Sequence, residues 1–120
     1  MEIFAPAART TTATSKDFGS RTFKGGIFFL NITAVSGTTP TMTVKIQYKD
    51  TLTGTYVDVP GGAFAAKTSA GVDSLTIYPG VISTANRSVM LPLGDEFRAV
   101  ATIGGTTPSF TFSLSFDGIE

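Results

Sequence analysis

The sequence of 120 residues contains no cysteine, no histidine and no tryptophan, and only 15% of its residues are charged. Without cysteine, the chain can form no disulfide and offers no thiol nucleophile. Without histidine, it lacks the most common general base and the most common metal ligand. These absences remove most catalytic mechanisms. We therefore expect a protein that is not an enzyme and that binds no metal or cofactor.

The charge balance restricts the class of partner. Nine basic and nine acidic residues give a formal net charge of zero, so the basic patch that nucleic acid or an anionic membrane attracts is not expected. Glu2 stands where a signal peptide needs a base, and the longest apolar run, Ile27 to Leu30, is far shorter than the roughly 20 residues of a membrane helix. We expect a soluble protein whose partners are proteins or sugars, without nucleic acid or membrane.

The residues that are abundant favour strands. Thr, Ser, Val, Ile and Phe dominate, and Gly or Pro interrupts the chain at short intervals. The predicted class is all-β, an antiparallel β-sandwich of about eight strands with a jelly roll as the alternative. Residues 1–8 are predicted to form an extended N-terminal arm because Pro6 disfavours helix, and residues 9–120 form a single sandwich domain.

Strict alternation marks two core strands. From Gly26 to Val35 and from Thr41 to Lys49, apolar and polar residues alternate with the period of a sheet that has one face in water. The following loop, Asp50 to Gly54, has turn residues at both ends. The side chains predicted to point inward are Phe28, Leu30, Ile32 and Ala34 in the first strand, and Met42, Val44, Ile46 and Tyr48 in the second.

An internal repeat gives the strongest topological prediction. The segment Val35 to Val44 matches Ile103 to Phe112 at a constant offset of 68 residues, and both contain Gly-Thr-Thr-Pro. The match extends upstream, where Phe29 aligns with Phe97. Glycine tolerates a positive φ and proline opens a strand without a ladder donor, so each copy is predicted to be the turn of a β-hairpin.

Two functions do not need cysteine or histidine, namely glycoside hydrolysis and sugar binding. A glycosidase needs only two facing carboxylates, but Asp95 and Glu96 are adjacent in a predicted strand and point to opposite faces. A sugar ring could stack on an aromatic platform, for which the chain offers only three tyrosines. The other candidate carboxylates for hydrolysis are Asp50, Asp58, Asp73 and Asp117. The candidate tyrosines for sugar stacking are Tyr48, Tyr56 and Tyr78.

The arm carries the only residues predicted to contact another chain. Ile3 and Phe4 are apolar side chains on a terminal segment and need a surface to bury against. Together with Pro6 they are the predicted contacts to a neighbouring subunit or to a protein on which the chain docks.

The repeat segments, Ser36 to Gln47 and Phe97 to Phe112, resemble small virion structural proteins of tailed bacteriophages. Between the repeats, the pattern of a strand, an Asp-to-Gly turn, an aromatic residue and Asp-Val in Ile46 to Val59 is also similar. The resemblance runs from about Arg9 onward. In place of the tryptophan that often follows this turn, the chain has Tyr56.

The resemblance implies a capsid decoration (cement) protein, made in the host cytoplasm and seated on the outside of the head. Such a protein is typically a homotrimer that binds the major capsid protein. The alternative within the same setting is a tail or fibre module that binds host-surface polysaccharide.

Overall fold

Two long strands form the centre of the fold. The computed structural model describes residues 1–19 and 22–120, and these contain strands and no helix. The first long strand, β4, and the second, β8, pair antiparallel along almost their whole length, from Gly25 opposite Ile119 to Tyr48 opposite Phe97. The eight strands are β1 (Glu2–Arg9), β2 (Ala13–Thr14), β3 (Phe18–Gly19), β4 (Gly25–Asp50), β5 (Thr55–Ala63), β6 (Gly71–Ile77), β7 (Ser88–Val89) and β8 (Glu96–Ile119).

The predicted all-β class and the number of strands are confirmed. The pairing is mixed, however, and not purely antiparallel, because β6 and β7 run parallel through Thr76 and Ile77. All strands belong to one sheet with the central order β1-β8-β4-β6-β7, while β2 and β3 pair with β8, and β5 pairs with β4.

This single sheet is folded over into two layers. Phe28 and Tyr48 are 20 residues apart in β4, a distance of about 66 Å in a straight strand. Yet the ring of Phe97, which pairs opposite Tyr48, lies 5.5 Å from the ring of Phe28. We call layer A the sheet formed by β1, β6, β7 and residues 25–36 and 109–119. Layer B contains β2, β3, β5 and residues 41–50 and 96–104.

The fold-over occurs at the two Gly-Thr-Thr-Pro segments, so the prediction of two hairpins is wrong. Each segment bends its strand without reversing it, and the two segments pair with each other through Thr38 and Thr106. Gly37, Thr39, Gly105 and Thr107 all have positive φ. A positive φ at alternate residues bulges and twists a strand while the chain continues forward, which turns it from one layer into the other.

The repeat is real but holds residue by residue only after the bend. There the buried residues of the two strands match at the predicted offset, Met42 with Phe110 and Val44 with Phe112. Before the bend, Phe28 is buried and Phe29 is exposed, whereas Phe97 is buried. The register shifts at Thr33, and this one-residue bulge moves the upstream match by one position.

The core lies between the layers. Its centre is a cluster of phenylalanines, in which the rings of Phe97 and Phe116 lie 5.2 Å apart and those of Phe28 and Phe116 lie 4.7 Å apart. The predicted inward residues of β4 are buried except Ala34, which lies next to the bulge and is exposed, and Tyr48, which is half-buried. The loop predicted at Asp50 to Gly54 is confirmed as a turn.

Candidate functional site

The predicted arm is folded as β1, an edge strand of layer A. Ile3 and Phe4 are 7% and 6% exposed and belong to the core of their own chain. The Phe4 ring meets the Phe112 ring edge-on at 5.5 Å, and the N-terminal ammonium donates to the carbonyl of Phe116. Pro6 is exposed. Of the three predicted contact residues, therefore, only Pro6 presents its side chain to solvent in this chain.

Arg9 closes the end of this edge strand. Its guanidinium lies 5.0 Å from the centre of the Phe4 ring and 4.7 Å from that of Phe112. The same group donates hydrogen bonds to the carbonyls of Ala5, Ala7 and Phe112. Two of these carbonyls belong to β1 and the third to β8, so the side chain joins the end of the edge strand to its neighbour.

The carboxylates considered for catalysis are dispersed. Asp50 accepts hydrogen bonds from the Leu52 amide and the Thr53 hydroxyl, as a turn residue does. Asp58 and Asp73 form ion pairs with lysines. Asp95 and Glu96 border an open depression beside Gly19 and Thr22, and Asp117 is exposed near the C-terminus. Over residues 1–19 and 22–120, no three acidic residues come together as a metal site would require.

The outer face of layer B carries a continuous polar network, which we call the polar face. Asp58 accepts hydrogen bonds from Lys45 and from Gln47, and Gln47 in turn accepts one from Arg98. The Arg98 guanidinium lies 3.4 Å from the centre of the Tyr56 ring. These side chains project from β4, β5 and β8 and satisfy one another, as expected of a solvated sheet face.

Asp17 extends this network from the segment between β2 and β3. Its carboxylate accepts hydrogen bonds from the Lys49 ammonium at 2.8 Å and from the Tyr56 hydroxyl at 2.7 Å. These two hydrogen bonds lower the pKa of Asp17, and the bond to Asp17 raises the pKa of both Lys49 and Tyr56. The pKa of Asp58 is lowered in the same way, first by Gln47 and then by Lys45. The polar face is thus already paired internally.

The outer face of layer A is different, and we call its uncharged part on β4, β6 and residues 111–115 of β8 the neutral face. Two exposed carboxylates border this part, Glu2 opposite Ser115 and Asp117 opposite Ile27. Phe29 lies in the middle, between its register partners Ser74 and Ser115, and is 37% exposed. Val72, a diagonal neighbour of Phe29, is 73% exposed. The remaining members are Ile27, Asn31, Thr33, Thr76, Thr111 and Ser113.

A signal for this face was present in the sequence. The alternation that places Phe28, Leu30 and Ile32 inward also places Phe29 outward, where a large apolar side chain is unusual among Asn and Thr. The repeat aligns Phe29 with Phe97, which is buried, and so suggests wrongly that Phe29 is buried as well. Val72 carried no such signal, because its position opposite Asn31 depends on the pairing of β4 with β6.

The three tyrosines each engage a different partner. The Tyr48 hydroxyl donates to the carbonyl of Pro92, the Tyr56 ring is covered by Arg98, and the Tyr78 hydroxyl donates to the carbonyl of Glu120. They do not form a common platform.

Comparison with known proteins gives no relative: no family model, curated protein or solved structure matches the chain. In the part of the chain that the structure describes, no helix has the length and apolar character needed to cross a membrane.

Proposed function

We propose that this chain is a bacteriophage capsid decoration protein that binds the major capsid protein on the outside of the head through its neutral face. The setting comes from the resemblance of the repeat segments to small virion structural proteins. The observation that carries the proposal is the exposed pair Phe29 and Val72 on a sheet face to which β4 and β6 contribute only uncharged side chains.

The contrast between the two outer faces supports this choice of surface. The centres of protein interfaces are depleted of charge and enriched in aromatic residues, because buried charges must be desolvated. The neutral face meets this description at Phe29, and its Ser and Thr side chains can pair with polar groups of a partner. On the polar face, by contrast, side chains such as Gln47 and Asp58 already hydrogen-bond one another, and their charged neighbours would have to be desolvated on binding.

A homotrimer would strengthen such an interface. The neutral face is a single patch on a chain of 12.5 kDa, and its contacts with one capsid subunit would be modest. Linking three copies makes the second and third contacts intramolecular, which raises the overall affinity by about 10²–10⁴. The decoration would add lateral contacts between capsomers and stabilise the DNA-filled head.

Light scattering on the purified protein, followed by co-sedimentation with expanded empty heads that lack it, tests the proposal. We expect a trimer that pellets with the heads. Phe29→Ser should weaken binding at least tenfold, because it removes the central apolar contact. Val57→Ser serves as the matched control, since Val57 is also exposed (54%) but lies in layer B. Wild-type protein that stays in the supernatant would contradict the proposed function.

A further inference from the structure

A small cavity opens between the layers at the edge of the neutral face. Among residues 1–19 and 22–120, β7 pairs only with Thr76 and Ile77 of β6, and the preceding residues of β6 have no strand partner on that side. Facing them, Lys67 pairs with Met42 at the margin of layer B. Between these two edges lies a cavity of about 130 Å³, lined by Leu30, Ile32, Lys67, Ser69, Ala70, Gly71, Val72 and Asp73.

The floor of the cavity is apolar and its charged wall is neutralised. Leu30 and Ile32 are inward residues of β4 and form the floor. Lys67 and Asp73 form an ion pair that joins the two layers, and the Asp73 carboxylate also accepts the Ser74 amide. Burial raises the pKa of Asp73, but the hydrogen bonds from Lys67 and Ser74 outweigh it and the pKa is lowered. With both charges paired, the cavity presents no unmatched charge to a ligand.

The volume decides what fits. A cavity of about 150 Å³ lined by apolar side chains binds benzene in another protein. The cavity here is slightly smaller and open to solvent at one side. It therefore accommodates one phenyl or isobutyl group, and nothing as large as a nucleotide or a sugar chain.

We infer that this cavity receives one apolar side chain, of leucine or phenylalanine size, from the protein that docks on the neutral face. This inference rests on the proposed function. Val72 belongs both to the neutral face and to the wall of the cavity, so a partner seated on Phe29 and Val72 reaches the opening directly. Interfaces commonly bind through one such anchor, buried in a pocket and surrounded by weaker contacts.

The first experiment tests the cavity alone, with benzene as the probe. Methyl spectra of the full chain should show saturable benzene-induced shifts at Leu30 and Ile32, and not at Val59, a core residue of layer B. Ala70→Leu should reduce benzene affinity at least tenfold, because it places a side chain at the opening. Ala85→Leu is the control, an identical change at an exposed loop residue. Absence of saturable shifts in wild-type protein would overturn the inference.

The second experiment tests the partner by co-sedimentation with empty heads. We expect Ala70→Leu to weaken head binding at least tenfold and Ala85→Leu to leave it unchanged. Equal binding by both variants would overturn the anchor while leaving the proposed function intact. Failure of the wild-type chain to pellet would instead contradict the proposed function and, with it, the major capsid protein as the source of the apolar side chain. Loss of the trimer in Ala70→Leu would show that a second copy occupies the cavity, and this too would overturn the inference.

Discussion

At the scale of single residues, two glycines determine whether the sheet can fold over. A Cβ on Gly37 would lie 2.6 Å from the carbonyl oxygen of Thr107, and a Cβ on Gly105 would lie 2.6 Å from that of Thr39. The φ values are also nearly equal, +112° and +114°. This reciprocity means that each bend is packed against the backbone of the other, with space only for hydrogen.

We therefore expect Gly37→Ala and Gly105→Ala each to lower the free energy of unfolding by about 2–3 kcal/mol, from backbone strain and the contact with the facing carbonyl. Gly54→Ala is the control, because Gly54 also has a positive φ (+76°) but has open space around it. Gly54→Ala should lower the free energy of unfolding by about 1 kcal/mol, because alanine is strained in the left-handed region. Urea denaturation measures all three, and an equal cost at all three positions would contradict the close packing of the bends.

Asp17 is expected to make the free energy of unfolding depend on pH in the acidic range. Hydrogen bonds from Lys49 and Tyr56 lower its pKa in the folded chain. A carboxyl with a lowered pKa stabilises the fold above its ordinary value of about 3.9, and this contribution is lost as the pH falls through the lowered pKa. Asp17→Asn should therefore reduce the urea midpoint at neutral pH and change it little at about pH 2.

Asp95→Asn is the matched control for this experiment, since it removes an exposed carboxylate that is outside the ion pairs of Asp17, Asp58 and Asp73. A difference between wild type and Asp17→Asn that stays constant from neutral to acid pH would show that the interaction with Lys49 and Tyr56 does not depend on the charge of Asp17.

At the scale of elements, β1 contributes to the core and is more than a flexible arm. Phe4 is 6% exposed and packs on Phe112. Phe4→Ala should lower the free energy of unfolding by about 3 kcal/mol, because it leaves a cavity at the edge of layer A. Pro6→Ala, an exposed position in the same strand, should change it by less than about 0.5 kcal/mol. Equal urea midpoints for the two variants would show that β1 is detached in solution.

Deletion of residues 1–8 is consequently a poor test of binding. It would uncover Phe112 and leave the edge of β8 unpaired, which favours aggregation. A deletion variant that failed to bind heads would not distinguish a lost contact from a damaged fold. Pro6→Ala is the cleaner variant for the predicted contact residues, since Ile3 and Phe4 already belong to the core.

The elements that sequence could predict are those specified by local pattern. Alternation identified the two core segments of β4, and the chemistry of Asp50 and Gly54 identified the turn before β5. The Gly-Thr-Thr-Pro segments were misread, because a positive φ is required both by a hairpin and by a bulged bend, and only the pairing distinguishes them. The ion pair of Lys67 with Asp73 could not be predicted from the sequence either, because it depends on where β6 lies relative to the margin of layer B.

At the scale of the whole molecule, the continuity of β4 and β8 links the two layers. Both strands pass through layer A and layer B, and they pair with each other in both. The repeat related by 68 residues therefore does not describe two independent units. Neither layer has its own central strands, so neither can retain its sheet when the other is lost, and unfolding should be a single cooperative transition.

Tyrosine fluorescence can test this cooperativity, because the chain has no tryptophan. In a Tyr78→Phe background, fluorescence reports on Tyr48 and Tyr56, both in layer B. Leu30→Ala removes a buried side chain of layer A and should cost about 3 kcal/mol. Although the change lies in the other layer, the fluorescence midpoint in urea should fall by the same amount as the midpoint of the far-ultraviolet circular dichroism. If fluorescence kept its original midpoint while circular dichroism lost part of its signal earlier, layer B would be stable alone and the shared strands would not couple the layers.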